Sequence, residues 1–229
     1  MSKLDNPKEV FPGVYRINNR LATQNLAPGR RVYGEELLNI GGKEYRNWDL
    51  HRSKLGGAIY KGLRELDIRP GASVLYLGAA SGTTPSHVSD IVGEEGLVFC
   101  VEMSARTVRD LLKVCEQRPN MLPLLGDARF PQNYADVVEE EAGGKVDVLY
   151  QDVADPEQAR ILEVNAEKFL NKGGSALLCL KARSIDATAN PEKIFAETKK
   201  KLEKSFELIQ QIDLAPFDKD HLFLSLRKK

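Results

Sequence analysis

The sequence predicts an α/β fold, a mainly parallel sheet closed by an antiparallel hairpin and preceded by a small β-rich module. Three observations carry this expectation. From about residue 54 onward, strand-like and helix-like runs alternate, which implies βαβ units. Some of the strands are almost wholly apolar, as in Ser175-Ala-Leu-Leu-Cys-Leu180, and such strands are buried on both faces. The last two strand-like runs have no helix between them, so they pair antiparallel.

The first fifty residues read as short strands at 10–17, 20–26, 30–33, 37–40 and 44–48. Turn signals at Asn18-Asn19, Pro28-Gly29 and Gly41-Gly42 separate them. Residues 54–66 carry Leu55, Ile59, Leu63 and Leu66 at helical spacing. Pro70-Gly71 then breaks the chain before a strand at 73–77. Helices are expected at 84–92, at 105–117 with Val108, Leu111, Leu112 and Cys115 inward, near 132–141, at 156–170 with Ile161, Leu162 and Phe169 inward, and at 191–206. Strands are expected at 97–102, 121–125, 146–151 and 176–181, with the closing pair at 207–214 and 221–226. The division that follows is a small β domain over 1–52 and a larger α/β domain over 53–229.

Composition sets limits on function. The chain has 229 residues, 42% hydrophobic and 29% charged, enough apolar matter for a packed core. Thirty-three basic residues balance thirty-three acidic ones, so a nucleic-acid ligand would need partners to help hold it. Cys100, Cys115 and Cys179 fit no zinc spacing, and two of them sit in apolar strands, which suggests free thiols in a reducing compartment. No apolar run is long enough to span a bilayer, and residues 1–9 lack a signal-peptide core. A soluble, cytoplasmic protein with no membrane partner is expected.

The most informative stretch is Val74-Leu-Tyr-Leu-Gly78-Ala79-Ala80-Ser81-Gly82-Thr83-Thr84. A strand runs through a turn of small residues into a helix, and the turn's glycines let backbone approach a ligand. The spacing is G-x-x-x-G, unlike the G-x-G-x-x-G of dinucleotide sites, and no P-loop lysine follows. Acids stand where the next strands end. Glu102 is placed for ribose hydroxyls, Asp127 in Gly126-Asp127-Ala128 for an adenine amine, and Asp152 in Gln151-Asp152-Val153-Ala154-Asp155 for the same crevice. Acids at strand ends also cap helices, which is the plainer alternative for any one of them. A carboxylate-rich site without phosphate donors suits a cationic nucleoside, and S-adenosyl-L-methionine carries a sulfonium and an ammonium.

These segments resemble the fibrillarin family, in its archaeal form. Tyr45-Arg-Asn-Trp48, Arg52-Ser-Lys-Leu55, Tyr76 to Thr84, Gly126-Asp-Ala-Arg129, Gln151-Asp-Val-Ala154 and Leu178-Cys-Leu-Lys-Ala-Arg183 match in order and spacing. The family's glycine/arginine-rich eukaryotic tail is missing. The resemblance implies a class I, Rossmann-like methyltransferase domain behind a small β domain. It implies a ribose 2′-O-methyltransferase of box C/D guide-RNA particles, acting on rRNA precursors and on tRNA with S-adenosyl-L-methionine. A Nop-domain scaffold protein, a kink-turn-binding ribosomal-type protein, the guide RNA and the substrate RNA would be the partners. The family's donor site maps onto Gly78, Ala79, Ala80, Gly82, Thr83, Thr84, Glu102, Met103, Asp127, Ala128, Asp152, Val153, Ala154 and Asp155, the last standing where the family often has glutamine.

The family's Lys-Asp-Lys-His set maps onto Lys54, Asp152, Lys181 and His221. The residues support this separately, because Lys181 ends an apolar strand and emerges at the crevice of Asp152. A partly buried lysine beside another gives up its proton more easily, so Lys181 is the expected base, with Asp152 orienting it. Lys54 and His221 would position the hydroxyl or a neighbouring phosphate. His51 and His87 read as ordinary polar histidines. The competing functions are a particle subunit with a vestigial pocket and a dehydrogenase of the dinucleotide class.

Overall fold

The computed structural model describes residues 5–229. The first four residues of the polar N-terminal run, and of the expected 1–52 domain, lie outside the described residues. The chain opens with β1 (Lys8–Phe11), β2 (Val14–Ile17), β3 (Arg20–Gln24), β4 (Leu37–Ile40) and β5 (Lys43–Asn47), an antiparallel sheet in the order β1-β2-β3-β5-β4. Asn18 and Asn19 have φ of 47° and 62° and turn β2 into β3, a pairing of left-handed residues that matches the twist of a hairpin.

Two expectations fail in this region. The single run over 10–17 is two strands, because Gly13 at φ 79° reverses the chain after Pro12. Residues 30–33 form no strand. The backbone N–H groups of Val32 and Tyr33 donate to the Glu35 carboxylate at 3.0 and 2.9 Å, so a side chain takes the donors a ladder would need.

The α/β part begins at α1 (Lys54–Tyr60), where the Ser53 hydroxyl accepts from the Gly56 N–H. This helix stops short of the expected residue 66, since Gly62 takes φ 95°, yet Leu55, Ile59, Leu63 and Leu66 are all buried. There follow β6 (Ser73–Leu77), α2 (Thr83–Val92), β7 (Leu97–Glu102), α3 (Ala105–Cys115), β8 (Met121–Leu125), α4 (Ala135–Glu141), β9 (Val146–Gln151), α5 (Gln158–Phe169), β10 (Leu170–Lys181), α6 (Ala182–Ile185), α7 (Pro191–Leu202), β11 (Phe206–Asp213) and β12 (His221–Lys228). The seven-stranded sheet runs β11-β12-β10-β9-β6-β7-β8, and only β12 runs against the direction of the other six strands. The fold is Rossmann-like with a closing hairpin, as the sequence predicts. On α3, Val108 and Leu111 point inward, but Leu112 is 43% exposed. One residue turns a helix by about 100°, which carries Leu112 off the face that meets the sheet.

Alternate residues of the central strands feed two cores. Val74, Tyr76, Val148, Tyr150, Leu177 and Cys179 face one layer, and Leu75, Leu77, Leu149, Leu178 and Leu180 face the other. The first layer also contains Val14, Leu21 and Trp48, so the small sheet shares a core with the larger domain.

That junction holds a buried polar cluster which the sequence reading misses. Arg46 pairs with Glu35 at 2.6 Å and with Asp90 at 2.8 Å, and Arg118 reaches Asp90 at 2.5 Å. All four side chains are essentially inaccessible to solvent. His87 is no ordinary polar histidine. It is fully buried, stacked on Trp48, and hydrogen-bonded to Thr23 Oγ1 and the Tyr33 hydroxyl, each at 2.8 Å. A histidine at i and an aspartate at i+3 on α2 carry no sign in the sequence that another sheet will cover them. His51 is exposed, as expected. Among the described residues no helix is long and apolar enough to cross a membrane.

Candidate active site

Parallel pairing sets the site. Leu77 of β6 stands level with Val101 of β7 and Gln151 of β9, so Gly78, Glu102 and Asp152 come next on the same edge of the sheet. A cleft of about 260 Å³ opens there. It is bordered by Gly78, Ala80, Glu102, Met103, Asp127, Ala128, Asp152, Val153, Ala154, Asp155 and Lys181, and by three residues the sequence reading misses, Val101, Gly126 and Ile161. Ile161 lies on the inward stripe of α5, where periodicity reveals burial but not the neighbour.

The glycine turn is held open by its backbone. Gly78 has φ 82°, and a Cβ on it would stand 2.8 Å from the Asp152 carbonyl oxygen, so no other residue fits without a shift. Ala80 takes φ 48° and donates its N–H to Glu102 Oε2 at 3.0 Å, while the Ser104 N–H donates to Oε1 at 2.8 Å. These two bonds fix the Glu102 carboxylate and leave lone pairs free for a ligand's hydroxyls. Ala79, Gly82, Thr83 and Thr84 do not border the cleft. Ala79 is buried in the core, Gly82 at φ 90° begins α2, and the Thr84 hydroxyl donates to Ser53 Oγ at 3.1 Å.

The remaining acids are also anchored. Asp127 is gripped by the Arg129 guanidinium at 2.6 Å, and this hydrogen bond holds its carboxyl below the usual range. Asp155 Oδ1 accepts the Glu157 N–H at 2.7 Å at the start of α5, a turn contact of the kind short acids make beside helices.

At the mouth of the cleft, Asp152 stands between two lysines. Lys181 Nζ lies 2.8 Å from Asp152 Oδ1 and also donates to the Asp152 carbonyl at 2.8 Å. Lys54 Nζ lies 3.3 Å from the same carboxylate and 3.3 Å from Asp218. Burial opposes the charge on Lys54, but Asp152 and Asp218 outweigh it and raise its pKa above the ordinary lysine value. Asp152 Oδ1 is buried and faces both ammonium groups, with no well-directed hydrogen bond to either.

The fourth member arrives by register. In the antiparallel pair of β10 and β12, Lys181 stands opposite His221. His221 Nδ1 donates to the Lys219 carbonyl at 2.7 Å and lies 2.9 Å from Asp218. A carbonyl only accepts, so Nδ1 carries a proton. Asp218 thus ties Lys54 to His221. Burial raises the Asp218 pKa, but the hydrogen bond from His221 and the charge of Lys54 bring it below the usual carboxylate value. Asp218 sits in the loop between the closing strands, and nothing in its local sequence marks it.

The family model for fibrillarin matches residues 5–229. The chain belongs to the fibrillarin family. A fibrillarin-like rRNA/tRNA 2′-O-methyltransferase from Pyrococcus abyssi is 50% identical over 226 residues, spanning 96% of this chain and 97% of the relative. The structure of Aeropyrum pernix fibrillarin with natively bound S-adenosyl-L-methionine superposes with a TM-score of 0.89 at 44% identity, covering 99% of this chain and 100% of that one. A fibrillarin of a fibrillarin/Nop5p complex superposes with a TM-score of 0.87 at 41% identity, covering 97% and 100%. These fibrillarin relatives match nearly end to end, so the small sheet and the glycine turn belong to one shared architecture rather than to a common sheet alone.

Proposed function

We propose that the chain is an S-adenosyl-L-methionine-dependent ribose 2′-O-methyltransferase acting on rRNA and tRNA. The observation that carries this is the Asp152 carboxylate held between Lys54 and Lys181 at the mouth of a nucleoside-sized cleft.

The donor fits the residues present. Glu102 is oriented by two backbone amides to accept ribose hydroxyls, and Met103 and Ile161 offer apolar contact to a purine. Asp127 and Ala128 border the same cleft. The carboxylates of Glu102, Asp127 and Asp155 in the lining suit a cationic donor, whereas a pyrophosphate would meet them here instead of amides. When bound, the sulfonium supplies an electrophilic methyl group.

The chain's own groups act on the acceptor. A ribose hydroxyl must lie within about 3–3.5 Å of the methyl carbon, in line, and must lose its proton. Lys54 is fixed as a cation by two carboxylates and orients the hydroxyl or a phosphate beside it. Lys181 shares only Asp152, so it is the amine free to exchange a proton. Lys181, once it has released its own proton to solvent, accepts the hydroxyl proton as the oxygen attacks, and Asp152 stabilises the ammonium that forms again. His221, opposite Lys181 in the strand pair, helps position the hydroxyl or the phosphate beside it.

The same reading makes the chain a catalytic subunit of a box C/D guide-RNA particle. A Nop-domain scaffold carries it, and a kink-turn-binding protein, guide RNA and substrate RNA complete the assembly in the cytoplasm. The balanced charge supports dependence on partners. Calorimetric titration should show S-adenosyl-L-methionine binding and no heat with NAD. Methyl incorporation should require scaffold and guide. NAD binding, or no donor binding, would overturn the assignment.

A further inference from the structure

Two open clefts outside the donor site meet at Tyr33 and Arg52. One, of about 620 Å³, includes His51, Tyr60 and Phe217 in its lining. The other, of about 380 Å³, includes Arg30, Arg31 and Lys113, and it borders Ser81 and Thr83 of the glycine turn. Both clefts are lined by Tyr33 and Arg52.

The chemistry of the two clefts differs. In the first, Tyr60 and His51 lie edge-on to Phe217, with ring centres 5.7 and 5.3 Å away, and Tyr60 is exposed. The second is cationic despite a net charge of zero for the chain. Arg30, Arg31 and Arg52 are exposed, while Lys113 is paired with the exposed Asp110 at 2.8 Å. Arg31 spends only Nε on the Glu35 carbonyl, which leaves its outer nitrogens free. Arg52 lies 5.7 Å over the Tyr33 ring, and its contact with Asp49 at 3.7 Å is long and exposed. Guanidinium groups beside a shelf of aromatic rings are what a nucleic-acid strand needs, charge for its phosphates and π-faces for its bases.

The clefts also adjoin the proposed acceptor site. Arg52 is followed by Ser53, which caps α1, and then by Lys54. Phe217 is followed by Asp218, which contacts Lys54. We infer that this joined groove holds the substrate RNA strand beside the reacting ribose. Its phosphates run along Arg30, Arg31 and Arg52, and a base rests on the Tyr60–Phe217 shelf. The inference rests on the reading of Lys54 and Asp218 as the acceptor side of methyl transfer.

The test is fluorescence anisotropy of the full chain, taken to high micromolar concentration because its balanced charge makes partner-free binding weak, with a labelled twelve-nucleotide single-stranded RNA over a salt series that starts low. Arg30→Ala/Arg31→Ala and Tyr60→Ala proteins are compared with the wild type. The wild type should bind with an affinity that falls as salt rises. The double arginine variant should flatten the log–log slope by about 0.7 for each phosphate it no longer neutralises. Tyr60→Ala should weaken binding by about tenfold with the slope kept. Donor affinity by calorimetry should stay unchanged in both variants, showing that they fold. RNA binding that is absent, insensitive to salt or equal in all three proteins overturns the groove assignment, as does equally tight binding of a poly-glutamate peptide. None of these outcomes bears on donor binding or methyl incorporation, which test the methyltransferase reading itself.

Discussion

Asp152 is shared by two ammonium groups that are not equivalent. Lys54 has a second carboxylate in Asp218, while Lys181 has only the Asp152 side chain and carbonyl. That asymmetry divides the roles, one lysine as a fixed charge and the other as the proton acceptor. Replacing Lys181 with alanine should lower methyl transfer by about 10²–10⁴-fold, the usual contribution of a general base, with donor affinity nearly unchanged. Single-turnover methyl incorporation beside calorimetry separates the two effects, and near-normal turnover would remove Lys181 from the reaction. Gly78 is the other residue whose identity is dictated locally. An alanine there would take up a left-handed φ at about 1–2 kcal/mol and drive its Cβ onto the Asp152 carbonyl. Gly78→Ala should therefore lower the melting temperature and weaken donor binding together. Both residues were legible in the sequence, because a strand-end lysine and a turn glycine announce themselves.

At the scale of elements, the site depends on β12 entering the sheet between β10 and β11. That insertion sets His221 opposite Lys181 and brings the preceding loop over Lys54. Asp218 holds the loop to α1 and to His221 at once. Asp218→Asn should leave the strands intact but loosen Lys54 and His221, with a fall in kcat of up to about 10²-fold, the cost of a small misplacement. A kcat equal to the wild type would make Asp218 a purely structural contact. The elements themselves were mostly readable from periodicity. Their ends were not, and 30–33 failed as a strand because Glu35 takes its backbone donors.

At the scale of the whole molecule, the small sheet is joined to α2 by a buried cluster of Arg46, Glu35, Asp90, Arg118 and His87. Removing one partner leaves an uncompensated charge, so Asp90→Ala should cost about 3–5 kcal/mol in urea unfolding. Burial, together with the nearby Arg46 and Arg118, pushes the His87 pKa well below its ordinary value. In the unfolded chain it titrates near 6.5. Below that pH the unfolded state binds a proton that the folded state refuses, so stability is full above about 6.5 and declines as pH falls from there. Unfolding at pH 5 and 7.5 should show this loss, and His87→Gln should flatten it.

The order of strands and helices, the open glycine turn, and the acids and lysines at strand ends are all written in the sequence, since each is a local property of spacing and side-chain type. Which of those groups meet is settled by the folded chain. Asp218 reaches Lys54, and His221 stands opposite Lys181, only through the register of an antiparallel pair, and Arg46 and Arg118 meet Asp90 only because one sheet covers another. Such contacts join residues far apart in the chain, and their energy comes from burial that no local pattern records.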